Sequence, residues 1–193
     1  MPVSAVRISG QRVAIVRVVR IGIISDTHGV LHERVPEVFA GVDQILHAGD
    51  VGGDEILQAL REIAPVTSVP GNNDDGMGEE FARVTLDGLR IAITHILPRP
   101  HDLDARVTRE LARRPADLVV FGHSHLPHDE RVAGVWYFNP ASSGPRRFDY
   151  PTSVGIIEKS NGEWIGRHIP LDDRSVKALE TRMNQLSHSP RSS

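Results

Sequence analysis

Five short segments place Asp, Asn or His in a small-residue loop directly after an apolar run. They are Ile24-Ser25-Asp26-Thr27-His28, His47-Ala48-Gly49-Asp50, Pro70-Gly71-Asn72-Asn73-Asp74, Ile93-Thr94-His95 and Phe121-Gly122-His123-Ser124-His125. Together they offer Asp26, His28, Asp50, Asn72, His95, His123 and His125. Carboxylate, amide and imidazole donors without sulfur form a set suited to Mn, Fe, Zn, Ni or Co. The chain has no cysteine, so thiolate metal sites, disulfides and cysteine nucleophiles are excluded together. Singly, each segment has an ordinary explanation. Asp-x-His at a strand end can be capping, Gly-Asp is usually a turn, and Asn and Asp tolerate left-handed backbone in loops. His95 alone could be a core histidine with satisfied hydrogen bonds. The two close imidazoles of Gly-His-Ser-His are the least ordinary, and five such segments in one chain order outweigh any one of them.

Elements that can hold these loops follow from the apolar pattern. Ile21–Ser25, Gln44–His47 and Val66–Val69 read as short strands buried on both faces. Glu33–Ala40 and a segment from Asp54, as cap, to about Ile63 read as the helices between them, with Ile56, Leu57, Leu60 and Ile63 on one face. The second half is richer in hairpins. Asp87-Gly88 and Asn161-Gly162 carry type I′ turn chemistry between apolar runs, and Gly134 separates a third pair. A helix from about Asp104 to Arg113, a strand at Leu118–Phe121 and a last helix from about Arg174 to Leu186 complete the domain. Such a pattern predicts a mixed α/β protein with two packed sheets and helices outside.

At 193 residues the chain suffices for one substantial domain. With 22 basic against 25 acidic residues, the net charge of −3 carries no whole-protein footprint for nucleic acid or an anionic membrane. No apolar run is long enough to span a bilayer. Arg7, Arg12, Arg17 and Arg20 punctuate an acid-free, Val-rich leader. It has no helical apolar stripe and reads as an extension upstream of the fold rather than a targeting helix. Residues 1–19 are therefore expected to lie outside the core and to be disordered, 20–186 to form the domain, and 187–193 to be a mobile tail.

The ordered set D-x-H, G-D, G-N-N-D, a histidine after a strand, then G-H-x-H resembles the calcineurin-like metallophosphoesterases, from about Ile21 to His168. With nothing inserted between motifs, and with Asn139-Pro140-Ala141-Ser142 similar to the N-P-G-S segment, the chain looks like the small YfcE-type phosphodiesterase branch. The resemblance implies a four-layer α/β/β/α sandwich of two mixed sheets flanked by helices. It also implies two divalent metal ions per chain, Mn first, with Fe, Zn, Ni or Co as alternatives. Asp26, His28 and His125 would hold one ion, Asn72, His95 and His123 the other, and Asp50 would bridge them. A bridging hydroxide would attack phosphorus in line.

At the third position of the G-N-[HC]-D motif stands Asn73, where the family has His or Cys. The resemblance gives this position and Asp74 catalytic roles, Asp74 orienting His95 or the loop backbone. An amide donates a hydrogen bond but cannot deliver a proton. Asn73 and Arg146 are candidate contacts to the substrate; Arg146 and Arg147 could equally be solvated charges. His32, His101, His128 and His168 read as mostly surface or loop histidines, and His101 could line the cleft. The reading is a metal-dependent phosphoesterase, foremost a phosphodiesterase, acting on a small phosphoester in the cytoplasm, with homo-oligomer formation open. The alternative is a non-catalytic protein-binding scaffold, because the retromer subunit of eukaryotic vacuolar sorting shares the fold.

Overall fold

Alternating βα units and hairpins build two sheets that pack face to face. The structure is a computed structural model that describes residues 7–8, 11–12, 18–75 and 78–188. In chain order its elements are β1 (Arg7–Ile8), β2 (Gln11–Arg12), β3 (Arg20–Ile24), α1 (Val35–Val38), β4 (Gln44–His47), α2 (Asp54–Arg61), β5 (Val66–Ser68), β6 (Phe81–Leu86), β7 (Leu89–Thr94), α3 (Ala105–Arg113), β8 (Leu118–Val120), β9 (His128–Val132), β10 (Val135–Asn139), β11 (Ser153–Ser160), β12 (Glu163–Pro170) and α4 (Asp173–His188). One sheet runs β12-β11-β3-β4-β5 and the other β6-β7-β8-β10-β9. In the first, β3, β4 and β5 are parallel; in the second, β7, β8 and β10 are parallel. The strands outside these trios pair antiparallel, so both sheets are mixed.

Strand alternation sorts the core into layers. Ile21 and Ile23 of β3 point between the sheets and meet Leu46, Ile91, Ile93, Leu118, Trp136 and Phe138. Ile24, from the other face of β3, packs with Val35, Phe39, Ile56 and Leu60 of the α1 and α2 region. Across the second sheet, Ala92, Val119 and Tyr137 meet Leu111 of α3. The expected α/β/β/α order is therefore present. α4 lies against β12 and β9, an edge strand of each sheet.

Two helix starts differ from the sequence reading. α1 covers only Val35–Val38, because Pro36 has no N–H and is accommodated only in a first turn. Gly53, not Asp54, is the cap of α2; Asp54 and Glu55 sit inside its first turn, where carboxylates favour the helix dipole. Asp104, where the sequence reading begins this helix, is the cap of α3 and accepts from Val107 N–H at 2.8 Å. In the leader, β1 and β2 pair with each other and, among the described residues, with no other strand. Val19 packs against the inter-sheet core. Val18 is exposed; residues 1–6, 9–10 and 13–17 of the leader and 189–193 of the expected tail lie outside the described residues, and Ser187 and His188 continue α4.

Candidate metal centre

All seven candidate donors follow the C-terminal ends of parallel strands, where α/β sheets place their sites. Asp26 and His28 follow β3, Asp50 follows β4 and Asn72 follows β5; His95 follows β7, and His123 and His125 follow β8. The two sheets thus each bring one edge of the site. Asp26, Asp50, His95 and His125 are buried, while Asn72 and His123 are exposed, so the cluster opens to solvent on one side.

The donors fall into two touching groups. Asp26, His28 and His125 each present a ligand atom within 4.8 Å of the others, and so do Asp26, Asp50 and His95. His125 Nε2 lies 3.2 Å from Asp26 Oδ1 and 3.3 Å from His28 Nε2. Asn72 Oδ1 lies 3.0 Å from His95 Nε2 and 2.8 Å from His123 Nδ1. Asp50 Oδ2 stands between the groups, 3.8 Å from His28 Nε2 and 3.5 Å from His95 Nε2. His95 Nδ1 is 2.7 Å from the Ala48 carbonyl, which can only accept. Nδ1 is therefore the protonated nitrogen, and Nε2, turned toward Asn72 Oδ1, is the nitrogen left for a metal ion.

Asp26 tests the fit to a cation most directly. Its Oδ2 accepts from Ser25 Oγ at 2.6 Å and from His123 N–H at 3.2 Å. Its Oδ1 is buried without a hydrogen-bond partner, beside the His125 ring. A buried carboxylate oxygen left unpaired is costly unless a cation or proton meets it. Burial pushes the Asp26 pKa up, but the His125 imidazole beside it and the Ser25 hydroxyl outweigh that and hold the carboxyl below its ordinary value. Burial, then the Arg147 guanidinium, lower that of His28. Ionised carboxylates and neutral imidazoles are what a divalent ion requires.

Strained backbone aims these groups. Asp26, His28, Asp50, His123 and His125 have φ of 54°, 48°, 53°, 67° and 57°. Left-handed non-glycine residues persist only where surrounding structure over-determines them. Here loop-to-loop bonds do so: Asp26 N–H to Gly49 O at 2.9 Å, His28 N–H to Asp50 O at 3.0 Å and Gly29 N–H to Val51 O at 2.8 Å. Gly71 and Gly122 are required by close approach, since a Cβ on Gly71 would collide with Asp50 and one on Gly122 with Ser25 Oγ.

The sequence profile of the calcineurin-like phosphoesterase superfamily domain matches residues 19–162. The chain belongs to that superfamily. It is 34% identical to a probable metallophosphoesterase of Methanothermobacter thermautotrophicus over 166 residues, 78% of this chain and 94% of that protein. It is 29% identical to phosphodiesterase YfcE of Escherichia coli (strain K12) over 182 residues, 80% of this chain and 93% of that protein. The solved structure of Vacuolar Protein Sorting 29 from Cryptosporidium parvum superposes with a TM-score of 0.61 at 18% identity, covering 79% of this chain and 97% of that one. That likeness concerns the fold alone.

Residues outside the seven donors are placed less simply in this calcineurin-like phosphoesterase. Asn73 does not stand free: its N–H reaches Asp50 Oδ1 at 2.8 Å and its Nδ2 reaches Asp50 Oδ2 at 2.6 Å. Asp74 does not touch His95. Its carboxylate accepts from the N–H groups of Val51, Gly52 and Gly71 at 3.0, 2.9 and 2.8 Å, so it clamps two site loops together. Burial raises its pKa and these three donors lower it, with a net fall. Arg146, named as a candidate contact to the substrate, makes its bonds within the fold. Its Nη2 bonds both oxygens of Asp172 at 2.8 Å and its Nη1 the Tyr150 carbonyl, which leaves the guanidinium committed to the fold. His101 and His128 meet opposite oxygens of Glu130. His168 is not a surface histidine; it is stacked 4.5 Å from Phe138 and bonded to Asn139 O at 2.7 Å.

Two supports of this site escaped the sequence reading. His47 is wholly buried and holds a neutral ring, because burial drives its pKa down to about 4. Its Nδ1 accepts from Gly49 N–H at 3.2 Å, and its Nε2 meets Thr27 Oγ1 at 2.9 Å. It therefore joins the loops of Asp26 and Asp50. The second support is Ser142 and Ser143, whose hydroxyls donate to the carbonyls of Asp26 at 2.9 Å and Ser25 at 3.0 Å. Position directly after an apolar strand was the available signal for His47, and the small polar run after Pro140 for the serines.

Proposed function

We propose that the protein is a metal-dependent phosphodiesterase that hydrolyses small phosphoesters by in-line displacement at phosphorus. Asp26, His28 and His125 hold one divalent ion, Asn72, His95 and His123 the other, and Asp50 lies between them. The observation that carries this is the buried, unpartnered Asp26 Oδ1 facing the imidazoles of a cluster made almost wholly of acceptors. Divalent ions in such a cluster supply Lewis acidity toward a phosphoryl oxygen and a nucleophile at neutral pH. Mn²⁺ is the foremost candidate, with Fe, Zn, Ni or Co also matching the donor chemistry. The Ala48 carbonyl fixes the His95 ring, Asp74 and His47 hold the loops, and Asn73 orients Asp50. The second amide hydrogen of Asn73 remains for an oxygen of the ester. A cytoplasmic location belongs to the same proposal and fits a cysteine-free chain, as does self-association.

A protein-binding scaffold on this fold is the competing reading, and it gives the buried acceptor cluster no task. Elemental analysis of the purified protein, with bis-p-nitrophenyl phosphate turnover in Mn²⁺, separates the two. Two ions per chain and turnover are expected. Asp50→Asn is expected to lose more than the roughly 10–100-fold seen when a residue merely supports a metal ligand. A metal-free, inactive wild type favours the scaffold. Near-wild-type turnover in Asp50→Asn with two ions bound removes the assignment of Asp50.

A further inference from the structure

The loop from Gly144 to Pro151 leaves the metal centre and is tied down at both ends. Gly144 N–H donates to the Asp26 carbonyl at 3.1 Å. Arg146 anchors its middle to Asp172 and to the Ser175 hydroxyl of α4, and Thr152 Oγ1 bonds Asp172 Oδ2 at 2.8 Å. Between these anchors the tip turns outward. Phe148 is 83% exposed, the most exposed large apolar side chain among the described residues, and its φ is 53°. Positive φ is an outlier for a bulky residue, and such outliers cluster at active sites and ligand clamps. Tyr150 stands beside it, with ring centroids 5.6 Å apart and planes at 56°.

The loop begins at the candidate site, where Gly144 N–H meets the Asp26 carbonyl. The Arg147 guanidinium, three residues on, forms no hydrogen bond or ion pair among the described residues. Tyr150 and Leu126, the residue after His125, line one groove of ≈ 490 Å³, edged by Arg174 and Lys177 of α4. A solvent-facing aromatic platform next to an uncommitted arginine matches a planar base carried on a phosphate. Every base has a π-face to stack, while the phosphate attracts the guanidinium.

Resting on the phosphodiesterase reading above, we infer that the substrate is a small nucleoside phosphodiester, with its base stacked on Phe148 beside Tyr150 and its phosphate met by Arg147. A polynucleotide is disfavoured by the net charge of −3.

Two measurements test this. The first is the ratio of kcat/KM for thymidine 5′-p-nitrophenyl phosphate over methyl p-nitrophenyl phosphate, which share a leaving group and differ in the base. The wild type should prefer the nucleoside diester roughly tenfold, the scale of one base–aromatic stack. That preference should collapse in Phe148→Ala and return in Phe148→Trp. A wild-type ratio near one, or the same ratio in all three proteins, overturns the inference while leaving the phosphodiesterase reading intact. A single-stranded oligonucleotide turned over faster than the thymidine diester also overturns the small-substrate assignment. The second measurement needs no turnover: the fluorescence of Phe148→Trp, corrected for the wild type, should be quenched by AMP and not by ribose 5-phosphate. If neither ester is hydrolysed, the phosphodiesterase reading fails, and equal effects of AMP and ribose 5-phosphate then overturn base recognition separately.

Discussion

Asn73 occupies the position where the resemblance read from the motifs implies His or Cys, and its bonds to Asp50 change what the difference means. The backbone N–H and the side-chain amide together cover both carboxylate oxygens of Asp50. The residue therefore orients the central carboxylate, and it can offer a leaving oxygen only a hydrogen bond, never a proton. General acid help is worth roughly 10²–10⁴ in rate and matters most for alkoxide leaving groups. Wild-type kcat/KM should thus fall steeply as the leaving-group pKa rises from nitrophenol to alkyl alcohols. In Asn73→His the dependence should be shallower, with alkyl diesters gaining selectively. Measuring aryl and alkyl diesters in both proteins decides it, with metal content determined on the same preparations. Parallel slopes with equal metal content would show that this position takes no part in protonating the leaving group. The seven candidate donors could be singled out in the sequence because donor type and placement after a strand are local properties. The grip of Asn73 on Asp50 was not, since it joins residues 23 apart through two folded loops.

Hairpins show how much of an element local chemistry decides. Asp87-Gly88 and Asn161-Gly162 sit in the turns foreseen for them, with φ of 44° and 82°, then 51° and 87°. Both positive angles match a type I′ turn, which suits the right-handed strand twist. The third hairpin uses Ala133-Gly134 at 49° and 83°. Alanine gains nothing from left-handed backbone, whereas Asn tolerates it at lower cost. Ala133 is exposed and a Cβ at Gly134 would meet no neighbour, so the turn has room for a longer side chain. Ala133→Asn is expected to raise stability by about 1 kcal/mol, read as a higher urea midpoint with an unchanged slope. No shift would mean that the turn already relaxes without strain. The helices were harder to bound: α1 and α2 depend on where Pro36 and Gly53 fall relative to neighbouring strands, and composition alone does not set that.

At the scale of the whole molecule, buried His47 makes stability depend on pH. Its folded pKa is about 4 against 6.5 for an unperturbed histidine, chiefly through burial. Between those values the unfolded chain binds a proton that the folded one refuses, so stability rises with pH across that window. The contribution is complete above about pH 6.5 and is lost as pH falls toward 4. At 1.36 kcal/mol per pH unit the limb amounts to about 3 kcal/mol. Asp26 and Asp74, both held below their ordinary 3.8, add their losses only at lower pH. Urea unfolding of the metal-free protein from pH 4 to 7 should show the limb, and His47→Gln should make it shallower, the remainder coming from His28, His128 and His168, which burial also holds below the ordinary value. Equal slopes in the two proteins would assign the pH dependence to other groups.

Periodicity and turn chemistry act over a few residues, so the sequence by itself determined the buried strands, the hairpins, the layered α/β class and the chain order of the donors. Only the tertiary structure decided which charged and polar groups are spent on the fold and which face the site. Arg146 and Arg147 are adjacent and alike in type, yet one is locked to Asp172 while the guanidinium of the other makes no hydrogen bond or ion pair among the described residues. His47 and His95 each end a strand region, yet the first bonds Thr27 and the second turns toward Asn72 and Asp50. Those choices rest on contacts between residues 20 or more positions apart. Such contacts exist only once backbone bonds have brought the strand-end loops together, and no local pattern encodes them.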